Sequence, residues 1–147
     1  MNIVIDDHLL REVLLEREPA WLRRVRRGGQ LSTTGCWYYR LCSALHDPEL
    51  TGSLSGPVAA LPDDLRAGVI QQVMSLPTAI RLISMRDLAW PAAGVGRRFG
   101  LNLLAAEALG AALETRSAIA TASANLPPTL RAAAGRAHVR VLSPPAG

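Results

Sequence analysis

The chain has 147 residues, enough for one domain with a buried core. Hydrophobic residues make up 49% of it and charged residues 19%, which excludes an intrinsically disordered chain. A net charge of +4 is too modest to identify a nucleic-acid-binding protein by itself, and no apolar run reaches the length of a membrane span.

Ile3, Val4 and Ile5 form a β-branched run, the mark of a buried first strand, and the acid Asp6 follows at its C-terminal tip. That tip is where open parallel α/β sheets gather ligands. Asp7 is placed to cap a helix over 8–15, whose Leu10, Val13 and Leu14 share one face. Pro19 ends or restarts it, Trp21, Leu22 and Val25 continue an amphipathic segment, and Gly28-Gly29 stops that segment. Residues 30–33 read as a second strand, followed by a helix over 36–45. Its two cysteines, Cys36 and Cys42, fall on nearly opposite faces and are not expected to pair, and no zinc spacing is present.

Residues 47–57 are rich in Gly, Ser and Pro and read as a loop. Pro62, Asp63 and Asp64 begin a helix reaching Met74, with acids near its positive end. Residues 79–84 are a third strand, and 85–98 are a helix despite Pro91, Gly94 and Gly96. Asn102 caps an Ala- and Leu-rich helix over 103–114. Residues 117–121 are a fourth strand, 129–135 a short helix and 138–142 a fifth strand. Five strands separated by helices predict a central, mainly parallel sheet covered on both faces, in one domain over 1–142 with a tail over 143–147. Right-handed crossovers bring the strand ends to one rim, and Asp6 belongs to that rim.

Every one of the 16 basic residues is Arg, a usage that a genome rich in G and C favours and that points to a bacterium. No acid follows Glu114, while Arg116, Arg131, Arg136 and Arg140 do, so the C-terminal part is locally basic. Asp6, Asp7 and His8 interrupt any hydrophobic leader, and a cytoplasmic protein is expected. No Walker loop, dinucleotide fingerprint or nucleophile elbow occurs.

With the elements in this order, the chain resembles the PIN domain family, the fold of many bacterial toxin ribonucleases. The resemblance rests on Ile3-Val4-Ile5-Asp6, on the Ala-rich stretch 103–114, on Ala118-Ile119-Ala120-Thr121-Ala122-Ser123, and on 130–134. It implies a PIN-like three-layer α/β fold. It also implies a site in which about four acids surround Mg²⁺ or Mn²⁺ and an activated water cleaves RNA.

Carried over by position, the first acid is Asp6, and the next three fall on or near Arg40, on Ala105 and on Ser123. Arg40 puts a cation where a cation should bind, Ala105 has no ligand atom, and Ser123 keeps an oxygen without charge. Glu107 offers a replacement in a segment, Glu107-Ala108-Leu109, that resembles the family's Asp-Ala-Leu. Residues two apart on a helix lie about 200° apart, so Ala105 and Glu107 cannot both face the site.

The expectation is therefore a degenerate PIN-like protein, weak or inactive as a nuclease, acting as a binding or interaction module without a cofactor. Asp6 and Asp7 are its candidate metal ligands and Arg40, Arg97 and Arg98 its candidate nucleic-acid contacts. The alternative is an active Mg²⁺- or Mn²⁺-dependent toxin-type ribonuclease using Asp6 with Asp7 or Glu107, and a third is a structural homodimer that binds a partner protein. An antitoxin-like protein and RNA are the partners the resemblance implies, and no membrane is expected. A turn or cap role is expected for Asn125 before Pro127. Trp37 and Leu41, four apart on one helix face, are expected to join Trp90 in a dimer interface.

Overall fold

The computed structural model of the chain describes residues 1–47, 49, 52–122 and 126–146. Ser123 and Asn125 lie outside the described residues. Strand β1 (Ile3–Ile5) is fully buried along its length, as a continuous apolar run in the middle of a covered sheet should be. It lies between β2 (Leu31–Thr34) and β4 (Ala118–Ala120), with β3 (Ile80–Ile83) beyond β2 and β5 (Val141–Leu142) beyond β4. All four pairings are parallel. The order β3-β2-β1-β4-β5 means that the chain builds outward on one side of β1 and then returns to build on the other.

Eight helices occur among the described residues: α1 (Asp7–Leu14), α2 (Ala20–Arg26), α3 (Gly35–His46), α4 (Gly56–Ala59), α5 (Asp63–Met74), α6 (Met85–Phe99), α7 (Leu103–Thr115) and α8 (Pro128–Arg136). Alternate strand residues point to opposite faces, and β1 shows it directly. Val4 joins Leu88 of α6, Leu109 of α7 and Leu130 of α8 in one apolar cluster. Ile3 and Ile5 join Leu10 of α1, Leu22 of α2, Leu41 of α3 and Val73 of α5 in another. The result is a three-layer α/β fold with helices on both faces of the sheet. No helix among the described residues is long and apolar enough to cross a membrane.

Helix α6 runs through Pro91 without ending, a departure from proline's usual effect in a helix interior. Close packing on α7 accounts for this. A Cβ on Gly110 would stand 3.2 Å from the Ala92 backbone, and one on Gly96 would stand 3.1 Å from the Ala106 side chain. Those two glycines let the helix backbones approach closely, and the packing outweighs the lost hydrogen bond.

The structure corrects two elements of the sequence reading. The fifth strand is only Val141–Leu142, because His138 has φ +58°, a left-handed conformation that no strand accommodates. The Gly-, Ser- and Pro-rich segment holds the short helix α4, in which Pro57 occupies the first turn where proline is tolerated.

Candidate functional site

The site lies where the chain reverses its direction of sheet building, between the carboxyl ends of β1 and β4. Open parallel sheets leave a crevice at such a point, because the connections on either side run to opposite faces. Asp6 sits at its base. Its N–H donates to Ala120 O at 3.1 Å, which ties it to the end of β4.

Both carboxylate oxygens of Asp6 are engaged by backbone. Oδ1 accepts from Leu9 N at 2.8 Å, capping α1, and Oδ2 accepts from Ala122 N at 3.1 Å. The helix cap is thus Asp6, not Asp7 as the sequence suggested, because only the residue at the strand end has the extended backbone (φ −76°, ψ 179°) that a cap requires. Burial holds the Asp6 carboxyl above its ordinary pKa and the nearby Asp7 charge adds to this, while the two backbone N–H donors and His8 oppose it.

The folded chain therefore retains the Asp6 proton to higher pH than the unfolded chain does. Stability should fall as pH rises from the ordinary carboxyl pKa through the raised one. In Asp6→Asn this part of the fall should disappear from a series of denaturant titrations across the acid range. An identical pH slope in the two proteins would show that Asp6 is not the group responsible.

Asp7 is the first residue of α1 and is almost completely buried. Its Oδ1 accepts from His8 N at 2.9 Å and lies 2.9 Å from His8 Nδ1. Its Oδ2 is buried and accepts no hydrogen bond among the described residues. Arg40 Nε stands 3.2 Å from that oxygen, so the two attract as ions without an aligned hydrogen bond. Arg40 projects from α3, with its side chain 55% exposed. The cation that the sequence placed near the site thus meets Asp7 and not Asp6.

A cavity of about 160 Å³ opens above these groups. Asp6, Asp7, His8, Arg40 and Thr121 supply its polar lining, and Trp37 and Leu104 are among its apolar walls. Asp6, Asp7 and His8 are the one group among the described residues whose ligand atoms lie within 4.8 Å of one another and could hold a metal ion. The donor set does not fit a Mg²⁺ hydrolytic centre. Mg²⁺ prefers near-octahedral oxygen ligation, whereas here one carboxylate is committed to two backbone N–H groups and the other to His8 and a guanidinium.

The remaining candidates are dispersed. Ala105 is buried in the apolar cluster on the α7 side of the sheet, and its N–H donates to the Asn102 cap at 2.9 Å. The α7 residue that reaches the cavity is Leu104. Glu107 is 1% exposed, and its Oε1 accepts from Cys36 N at 2.8 Å at the start of α3. It does not line the cavity. Cys36 and Cys42 are both free. Burial raises the Cys36 thiol pKa, and the Glu107 carboxylate raises it further.

Arg97 and Arg98 are exposed at the end of α6 and do not line the cavity; Arg98 lies over the Phe99 ring, 4.9 Å from its centre. Trp37 and Leu41 are core residues, in different clusters, so they cannot form a face for a second copy. Of the three residues expected in a dimer interface only Trp90 is available, at 90% exposure. His8 is the site residue that motif reading missed. Its only sequence signal is its place directly after two acids at a strand end.

No family model matches the chain, and no curated protein matches it.

Proposed function

We propose that the chain is a PIN-like domain whose acidic site has become an internally neutralised binding pocket, so that it serves as an interaction module and not as a nuclease. The observation that carries this reading is Arg40 Nε, 3.2 Å from a buried Asp7 oxygen at the mouth of the rim cavity. Metal-assisted cleavage of a phosphodiester needs carboxylates free to hold the cation. A guanidinium at that distance supplies the positive charge that an ion would otherwise bring, and repels the ion itself. The parallel sheet, the acid at the tip of its central strand and the placement of the cavity agree with the PIN-like resemblance, in which Arg40 takes an acid's position.

A metal-dependent ribonuclease is the second reading, favoured by the closeness of Asp6, Asp7 and His8. Two measurements separate the readings: calorimetry with Mn²⁺, and cleavage of a fluorescent single-stranded RNA in Mg²⁺ and in Mn²⁺. The module reading expects no Mn²⁺ binding tighter than about 1 mM, about 8 kcal/mol less favourable than a nanomolar site. It also expects no cleavage beyond that of Asp6→Asn. Tighter binding that Asp6→Asn abolishes, or RNA cleavage with the same dependence, would establish the nuclease instead.

A further inference from the structure

The opposite edge of the sheet, at the amino ends of the strands, carries a second cavity of about 370 Å³. Arg116, His138 and Arg140 line it, and Leu113, Ala118 and Val139 give it an apolar floor. No carboxylate lines it. Neither Arg116 nor Arg140 forms an ion pair among the described residues. The nearest acid in sequence, Glu114, lines an adjoining cleft with Arg81 and Asp87, which shares Ser117 with this cavity.

The three cationic or imidazole side chains come from three separately anchored places. Arg116 closes α7 in a left-handed conformation, φ +52°, with its N–H bonded back to that helix. His138 is left-handed as well, φ +58°, and its N–H donates to Gly135 O at 3.2 Å. Arg140 directly precedes β5, and its carbonyl accepts from Ile119 N at 2.9 Å. The backbone beneath each is therefore fixed. Arg116, His138 and Arg140 are exposed. Two guanidinium groups lining one cavity with no carboxylate in the lining repel each other through screening solvent, a repulsion that an anionic ligand would relieve.

We propose that this cavity binds a phosphomonoester of about mononucleotide size. Arg116 and Arg140 would hold the phosphate through their planar donor forks, with His138 as a further donor. The ligand's flat or apolar body would rest on Leu113, Ala118 and Val139. A volume of about 370 Å³ lies within the range of small-molecule sites and exceeds what a phosphate ion alone fills. The proposal gives a role to Arg116 and Arg140, two of the four arginines of the locally basic C-terminal part, and it is independent of whether the rim site binds metal.

Calorimetry with AMP and, separately, with inorganic phosphate at low ionic strength tests it. AMP should bind with a sub-millimolar constant, and inorganic phosphate at least about tenfold more weakly, a gap of about 1.4 kcal/mol. The double variant Arg116→Gln, Arg140→Gln should weaken AMP by more than about tenfold, whereas Arg97→Gln should leave it unchanged. Raising salt should weaken AMP binding to the unsubstituted chain, which keeps the test open if the double variant folds poorly. Absence of AMP binding overturns the proposal. So do equal affinities for AMP and phosphate, full affinity in the double variant, and binding of an RNA oligonucleotide without binding of AMP.

Discussion

Replacing Arg40 with glutamate should give the rim site a divalent-ion affinity that the natural sequence lacks. The substitution removes one positive charge and adds one negative charge beside Asp7, a change of two charge units at a buried carboxylate. Without metal the variant should be less stable than the parent, because Asp7 loses the Arg40 guanidinium and gains a like charge. With metal the variant should recover part of that loss. If Mn²⁺ binds with a constant of about 0.1 mM, then 1 mM free ion adds about 1.4 kcal/mol of stability. That corresponds to a rise of roughly 3–6 °C in melting temperature for a chain of this size.

The parent should show no Mn²⁺-dependent shift. Arg40→Gln, which removes the cation without adding a ligand, should show a much smaller one. Thermal melts of the three proteins with and without Mn²⁺ decide the matter. Equal shifts in all three would mean that Arg40 does not govern metal binding. No shift in Arg40→Glu would mean that Asp6 and Asp7 cannot be recruited as ligands.

The second large effect is expected at Glu107, and it is structural. Its buried carboxylate accepts from Cys36 N and so holds the start of α3 against α7. The first N–H groups of a helix have no partner within it, and a negative group there also meets the positive end of the helix dipole. Glu107→Ala removes a charged hydrogen bond worth about 1.5–3 kcal/mol and leaves a hole between packed helices. A total loss of about 3–4 kcal/mol is expected from urea titration. Glu107→Gln keeps an acceptor oxygen and should cost only about 1 kcal/mol.

The Gln variant has a second readout. Cys36 is held above its ordinary pKa by burial first and by Glu107 second. Neutralising Glu107 should let the thiol ionise more readily, so alkylation by iodoacetamide near pH 8 should become faster. An unchanged alkylation rate together with an Ala variant as stable as the parent would remove Glu107 from this role.

The sheet was legible because its determinants are local. Ile3-Val4-Ile5 is apolar at every position, and only a strand covered on both faces can bury such a run; β1 is the central strand. The long run of small and apolar residues in α7 likewise reads as a buried helix, and it packs on β1, β2 and β4. The start of β5 was misjudged because Val139 and Val141 favour a strand while the backbone at His138 turns left-handed. Side-chain propensity does not report that turn.

The alternation of elements, the burial of β1 and the acid at the carboxyl rim all follow from side-chain period and type along a short stretch. That Arg40 and Asp6 come from the first two strand-helix units follows in the same way. Which charges meet depends on how the elements pack: Arg40 reaches Asp7, while Asp6 turns to the backbone N–H groups of Leu9 and Ala122. Packing also sends Glu107 to the amino end of α3 and Leu104 to the cavity, a choice that depends on the rotation of α7 about its axis. It buries Trp37 and exposes Trp90. Periodicity gives the faces of one element, but a contact between elements depends on crossover, register and rotation together, and those are fixed only when the whole core packs.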